Sequence, residues 1–308
     1  MARRFEHHAR TVSALTLISR VTGLARDASL SRVFGAGPLM DAFFFAFIIP
    51  NLFRRLFGEG ALAAAFLPVY SELERDDPQV ARQLASLVVS RMVVTLGGIV
   101  LLGEIILYFI SASQAHSNIA VWLMMIMLPY MPLVCLVAIL GAMLHVHGRF
   151  GPTAAAPIVL NVCVIASAIG FHFGLDGGGV ERETASAVDA RVLHIGLVSG
   201  AVILAGLLQV AWSMWALRNR SWWTGKRDKA REPWRRVLTQ AGPMILGLGV
   251  LQLNTFFDGV IASYPTTFGS TVFGFDYPLE RGAMSAVSYA QRLYQFPLGA
   301  FGIAIATA

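Results

Sequence analysis

Small, polar and charged residues recur along one side of the first long apolar run of this sequence. They follow one another at intervals of three and four residues: Ser13, Thr16, Arg20, Gly23 and Asp27. This spacing places them on one face of a helix, and Arg26 flanks the same half. An ionised side chain at the centre of a bilayer costs about 2.5–3.5 kcal/mol, so such residues face a partner or a water-filled cavity. The run predicts an amphipathic helix whose polar stripe faces inward.

Two further apolar runs carry charges within them. In the second run these charges are Asp41, Arg54, Arg55 and Glu59. Pro50 interrupts this run and should kink its helix, because proline lacks the backbone N–H that the helix needs. In the last run Arg292 has no acidic neighbour in the sequence. The sequence therefore places arginines in three separate apolar segments.

Arginines that converge from these three segments would line a cationic cavity. Guanidinium groups form paired hydrogen bonds with phosphate and carboxylate oxygens, which indicates a carrier of an anionic, phosphate-bearing substrate. The candidates for binding it are Arg20, Arg26, Arg54 and Arg292. The alternative is that the arginines only pair with acids and hold helices together, the available acids being Asp27, Asp41 and Glu59. Arg55 is assigned to Glu59, four residues away, and the remaining surplus of arginines favours the substrate interpretation.

The composition indicates that membrane-spanning segments position these residues. The chain has 308 residues, of which 56% are hydrophobic and 14% charged, and its mean hydropathy is +0.63. Soluble domains have about a quarter of their residues charged, so an ordinary soluble enzyme is excluded. We predict an all-α polytopic membrane protein with about eight transmembrane helices, because helices satisfy their own backbone hydrogen bonds in lipid. The predicted spans are Thr11–Phe34, Leu39–Tyr70, Leu84–Ile110, Ile119–Val146, Pro152–Phe173, Val192–Leu217, Val237–Tyr264 and Ala283–Ala308.

The loops carry a strong charge asymmetry. With a cytoplasmic N-terminus, fourteen lysines and arginines fall on the cytoplasmic side of the spans and three on the other side. This positive-inside pattern supports that orientation and explains the net charge of +6 without a nucleic-acid partner. The connection 218–236 carries eight of the fourteen, and three tryptophans. We expect it to lie as an amphipathic segment on anionic lipid, with a specific partner as the alternative.

Several stretches resemble signature motifs of the MurJ (MviN) family. They read SRVTGLARD at 19–27, FGAG at 34–37, DAFF at 41–44, PNLFRR at 50–55, GEGA at 58–61 and YAQRLYQFP at 289–297. The resemblance covers essentially the whole chain and is most specific in the first 75 residues. It implies a flippase of the multidrug/oligosaccharidyl-lipid/polysaccharide exporter superfamily, in the bacterial inner membrane. The implied substrate is lipid II, the undecaprenyl-diphosphate-linked disaccharide pentapeptide of peptidoglycan synthesis, moved by alternating access.

The resemblance also implies roles for individual residues. Functional arginines of the family fall on Arg20, Arg26, Arg54 and Arg292, and supporting or gating charges on Asp27, Asp41, Arg55 and Glu59. Some members bind sodium through an acidic residue of the seventh span, for which Asp258 is the candidate. No cofactor or metal site is expected, and a sodium ion or the membrane potential is the expected driving force. The expected partners are lipid II, the phospholipid bilayer and other cell-wall synthesis proteins.

The same resemblance divides the chain into four parts. Residues 1–10 form a basic cytoplasmic N-terminus, 11–217 a first six-helix lobe, 218–236 a basic cytoplasmic connection, and 237–308 the first two helices of a second lobe. Because the family has fourteen spans, we expect this sequence to be C-terminally truncated.

Two other functions stay open. One is a flippase or exporter for another lipid-linked polysaccharide precursor. The other is a non-transporting membrane scaffold for cell-wall synthesis that docks through 218–236. The scaffold predicts that substitutions in this connection abolish function while substitutions of the cavity arginines do not. An enzyme is not expected, because no P-loop, nucleophile elbow or metalloprotease motif occurs.

Overall fold

The computed structural model of the chain describes residues 2–58, 60–113, 118–176 and 185–293. The longer helices are α1 (Ala2–Phe34), α2 (Pro38–Phe53), α3 (Ala61–Asp76), α4 (Pro78–Ser113), α5 (Ile119–Met127), α6 (Tyr130–Val146), α7 (Gly151–Asp176), α8 (Ala185–Leu217) and α9 (Arg231–Thr267). Residues 283–293 are also helical and are called α10. Between α9 and α10 lie two short antiparallel strands, β1 (Thr271–Val272) and β2 (Phe275–Asp276). The prediction of a helical polytopic fold is confirmed.

Five helical segments among the described residues are long and apolar enough to cross a membrane. They are Pro78–Ser113, Ile119–Val146, Gly151–Gly170, Val188–Leu217 and Asp228–Thr267. The first predicted span falls short of this criterion because of its charged stripe, and the second because it is divided into two shorter helices. The last predicted span extends into 294–308, which lie outside the described residues.

The second predicted span is broken after Phe53, because α2 continues through Pro50. Residues Arg54–Gly58 form a π-helical turn between α2 and α3. A Cβ atom at Gly60 would overlap the carbonyl oxygen of Arg55, so only glycine fits where the chain enters α3. A wider turn of this kind reorients the side chains it carries and is frequent at functional sites. Here it carries Arg54 and Arg55.

The helices pack around a continuous apolar core. α1 lies against α7, α7 and α6 against α8, α2 against α5, and α9 against α2 and α3. The largest fully buried side chains include Met40, Phe66, Tyr70, Leu84 and Met131. The outer faces of α4 and α9 expose large apolar residues such as Val94 and Leu246, as expected for helices whose surroundings are lipid.

The ends of two predicted segments differ from the structure. α1 begins at Ala2, so the predicted basic N-terminus continues the first helix. α9 begins at Arg231 after a 3₁₀ turn at Asp228–Ala230, so helix replaces the last third of the predicted connection 218–236. Burial of Ala230 and Val237 against the core explains this early start, because packing rather than charge decides where the helix begins.

The remainder of the connection is held on α4. The Thr224 amide donates to Ser86 Oγ at 2.8 Å, and Arg227 Nη2 donates to Ser90 Oγ at 2.8 Å. The Lys229 amide donates to Gln83 Oε1 at 2.9 Å. The predicted surface segment is thus bonded to a neighbouring helix of its own chain.

Candidate functional site

A cavity of about 1060 Å³ opens between α1, the α2–α3 break, α6, α7, α9 and α10. Its lining includes all four predicted substrate-binding arginines, which are Arg20, Arg26, Arg54 and Arg292. Arg55 and the two acids Asp27 and Asp258 line the same cavity. The described lining therefore has five arginines and two acids, and its charge is positive.

The polar stripe predicted for α1 faces this cavity. Thr16, Arg20, Gly23 and Asp27 lie in its lining, as does the flanking Arg26, whereas Ser13 does not. The helical spacing of these residues along α1 is the reason, since residues three and four apart share a face.

Asp27 is the point where two of the arginines meet. Its Oδ1 accepts from Arg26 Nε at 2.8 Å and from Arg26 Nη2 at 2.6 Å. Its Oδ2 accepts from Arg292 Nε at 2.7 Å, which joins α1 to α10 across 265 positions of sequence. Asp27 is 6% exposed, whereas 44% of the Arg292 side chain is exposed. One buried carboxylate thus holds two guanidinium groups, and the cluster keeps a net positive charge.

Asn161 of α7 completes this cluster, and the sequence analysis did not identify it. Its Nδ2 donates to Thr22 Oγ1 at 3.0 Å and to the Ser19 carbonyl at 3.2 Å. Its Oδ1 accepts from Arg26 Nη1 at 3.3 Å. The sequence signal for this residue is an amide side chain within a largely apolar run. Asn161 is 4% exposed, and a buried amide needs hydrogen-bond partners.

Arg54 is positioned by Asn51, three residues earlier in α2. Its Nε and Nη2 both donate to Asn51 Oδ1, at 3.0 and 2.9 Å. Asn51 lies in the last turn of α2, so the end of this helix places the acceptor that orients the guanidinium. The proposed pairing of Arg55 with Glu59 involves a residue outside the described ones, and it stays a prediction.

Asp41 lies apart from the cavity lining. It is fully buried, and its Oδ2 accepts from Thr266 Oγ1 at 2.8 Å and from the Gly282 amide at 2.6 Å. Its Oδ1 accepts from the Ser285 amide at 2.8 Å. These contacts do not include an arginine, so among the described residues Asp41 is not the counter-ion that the sequence suggested. Its oxygens cap the start of α10 instead. Whether this cap acts as a gate stays a prediction.

Asp258, the candidate for ion coupling, reaches the cavity from α9. Its Oδ2 accepts from Asn254 Nδ2 at 3.3 Å, one helical turn earlier. Both residues are exposed. Asp258 lies in the cavity lining, so α9 contributes a carboxylate to the cavity wall.

Comparisons with known proteins identify relatives of this chain. A family model described as "Lipid II flippase MurJ" matches residues 30–308. A "Probable lipid II flippase MurJ" of Vibrio cholerae is 32% identical over 96% of this chain and 54% of its own length. A "Lipid II flippase MurJ" of Burkholderia cenocepacia is 32% identical over 96% of this chain and 54% of its own length. The chain therefore spans about half the length of these curated relatives.

A solved structure has the same fold. It is described as "Lipid II flippase MurJ, inward closed conformation", and it superposes with a TM-score of 0.70 at 22% sequence identity. The likeness covers 94% of this chain and 55% of the solved chain.

Proposed function

Because the chain belongs to the lipid II flippase MurJ family, we propose that it helps to carry the polar head of lipid II across the bacterial inner membrane. It acts as a transporter and not as an enzyme. One observation carries the proposal: Arg20, Arg26, Arg54 and Arg292, from three separate segments, all open onto one cavity of about 1060 Å³.

The arginine cluster suits a diphosphate. A diphosphate diester carries two negative charges, and guanidinium groups bind such oxygens through parallel hydrogen bonds. Arg292 is the more exposed partner of Asp27, so it is the guanidinium that turns most readily toward a ligand. Arg26 stays held by Asp27 and Asn161 and supplies a fixed positive charge.

The lipid tail of such a substrate need never leave the membrane. The protein has to lower the barrier only for the charged head group, which is the part that lipid excludes. Alternating access supplies this by opening the cavity first to the cytoplasmic side and then to the other side. The Asp41 cap holds α2 to α10 on one side of the molecule and would have to loosen in the second state.

Binding to the purified 308-residue chain tests the proposal, because the chain itself contributes every residue of the cluster. We expect Arg26→Ala and Arg292→Ala to weaken lipid II binding about tenfold or more, the loss typical of hydrogen bonds to a charged group. Arg32→Ala is the matched control, since Arg32 is an exposed arginine of the same helix outside the cavity lining. Unchanged affinity in both cavity variants, with unchanged thermal stability, would contradict the assignment.

A cellular assay separates transport from scaffolding. The chain and its variants are expressed in bacteria depleted of their own flippase, and the lipid II accessible from outside is measured. Loss of access in Arg26→Ala, with access kept after substitutions in 218–236, supports transport through the cavity. The reverse pattern supports the scaffold alternative.

A further inference from the structure

A second pocket of about 310 Å³ lies outside the arginine cavity. It forms where the end of α3, the start of α4, the end of α6 and the connection after α8 meet. Its polar lining includes Glu74, Arg82, His147 and Arg220. These elements lie on the side that the basic loops mark as cytoplasmic. The volume is at the lower end of the range for small-molecule sites, about 300–1000 Å³.

The connection that forms one wall of this pocket is fixed in place. Ser86 Oγ of α4 lies 2.8 Å from the Thr224 amide and 3.4 Å from the Trp222 carbonyl. The Trp222 amide in turn donates to the Arg220 carbonyl at 2.9 Å. Arg220 and Trp222 are therefore held opposite α4, and the pocket exists before any ligand arrives.

The pocket carries charges of both signs. Arg82 and Arg220 supply two guanidinium groups, and Glu74 supplies a carboxylate. Glu74 Oε1 lies 4.0 Å from Nε2 of His147. Burial lowers the pKa of His147, with Arg220 and Arg149 acting in the same direction and Glu74 opposing them. The imidazole is therefore neutral near pH 7, and the positive groups of the pocket are the guanidinium groups of Arg82 and Arg220.

Aromatic residues place this pocket at the level of the lipid headgroups. Trp222 lines it, and the adjacent Trp223 is 54% exposed. Trp215, in the last turn of α8, is 60% exposed, and the Arg218 guanidinium lies 4.2 Å from its ring centroid. Tryptophans concentrate at membrane–water interfaces, where their rings contact headgroups.

We propose that this pocket binds the zwitterionic headgroup of a membrane phospholipid, a phosphate diester that bears a primary ammonium group. Arg82 and Arg220 would hold the phosphate, and Glu74 would hold the ammonium. A ligand with both charges neutralises the pocket's acid as well as its bases, which a simple anion does not. The inference is independent of what the larger cavity transports.

Counting retained lipids by native mass spectrometry tests this proposal on the purified 308-residue chain. Delipidated protein is titrated with phosphatidylethanolamine or with phosphatidylglycerol, which has the phosphate but no ammonium. We expect phosphatidylethanolamine to bind more tightly, and Glu74→Gln to abolish that preference while phosphatidylglycerol binding is kept. Arg82→Gln and Arg220→Gln should each weaken binding of both lipids about tenfold.

Matched controls use charges outside the pocket. Arg235→Gln and Asp76→Asn change exposed residues outside the pocket lining and should leave the binding of both lipids unchanged.

Competition by soluble phosphoethanolamine identifies the headgroup as the recognised part, whereas competition by inorganic phosphate alone points to a free-phosphate site and overturns the proposal. Equal binding of the two lipids in the unmodified chain, or equal losses in the pocket and control variants, overturns it as well.

Discussion

At the scale of single residues, Asp27 decides how the cavity arginines are held. A buried carboxylate without partners would be costly, and two arginines next to each other without a counter-ion would repel. In this cluster the two guanidinium groups neutralise the buried carboxylate, and the carboxylate reduces their mutual repulsion. Arg26 is bonded to one oxygen of Asp27 and Arg292 to the other. The two interpretations of the sequence, pairing with acids and binding a substrate, are therefore compatible, because each arginine keeps N–H groups that Asp27 does not use.

Asn161 makes the positioning of Arg26 testable. We expect Asn161→Ala to weaken lipid II binding about tenfold, because Arg26 loses one of its two acceptor residues and α1 loses two hydrogen bonds from α7. Affinity for lipid II is the measurement, with thermal stability recorded beside it. Ser199→Ala is the control, since it removes a buried hydrogen bond within α8 and no contact to an arginine. Equal affinity in the two variants would show that Asn161 is only a packing residue.

The residues of this site differ in how visible they are in the sequence. An arginine within an apolar run is exceptional, so Arg20, Arg26, Arg54 and Arg292 could be predicted to line a cavity, and the structure brings them to one. Asn161 carries no charge, and its importance depends on Thr22, 139 positions away. Only the packing of α1 against α7 creates that contact.

At the scale of elements, the start of α10 is unusual because an acid from a distant helix caps it. N-caps are normally local residues just before the helix that they cap. Here Asp41, in the first turn of α2, accepts hydrogen bonds from the amides of Gly282 and Ser285. Gly282 has φ 102°, a conformation that suits glycine, and a Cβ atom added there would lie 3.4 Å from the carbonyl oxygen of Ala36. The cap therefore depends on α2 and α10 staying together.

Removing one acceptor should loosen this contact. We expect Asp41→Asn to speed hydrogen–deuterium exchange at the Gly282 and Ser285 amides about tenfold, because asparagine has one acceptor oxygen where aspartate has two. Asp77→Asn is the matched control, since Asp77 caps α4 through the amides of Gln79 and Val80. In the Asp77→Asn variant, hydrogen–deuterium exchange at residues 282–285 should be the same as in the unmodified chain. Unchanged exchange in Asp41→Asn would mean that these amides are protected by packing alone.

The elements themselves were predictable, and their ends were less so. Apolar runs marked the helices because a bilayer demands about twenty such residues for each crossing. The π-helical turn at Arg54–Gly58 and the start of α9 at Arg231 were not predicted. The first depends on the close backbone approach at Gly60 and the second on the burial of Ala230, and neither has a signature in hydropathy.

At the scale of the whole molecule, the cavity has chemically different walls. The α1 and α10 walls carry the Arg26–Asp27–Arg292 cluster, and the α9 wall carries Asp258, which accepts a hydrogen bond from Asn254. A substrate anion and a cation could therefore occupy the same cavity without competing for the same side chains. A cation bound on α9 would also offset the negative charge of the substrate, which couples the two binding events.

This arrangement predicts a sodium site at Asp258. Sodium should raise the thermal unfolding midpoint of the chain by about 2–4 °C at saturating concentration, since a ligand that binds only the folded state stabilises it. Choline at equal ionic strength should not do so, because it is too large for a carboxylate–amide site. Asp258→Asn should abolish the rise, whereas Asp276→Asn, an exposed acid in β2, should keep it. An equal rise in the Asp258 variant would show that sodium does not bind at this wall.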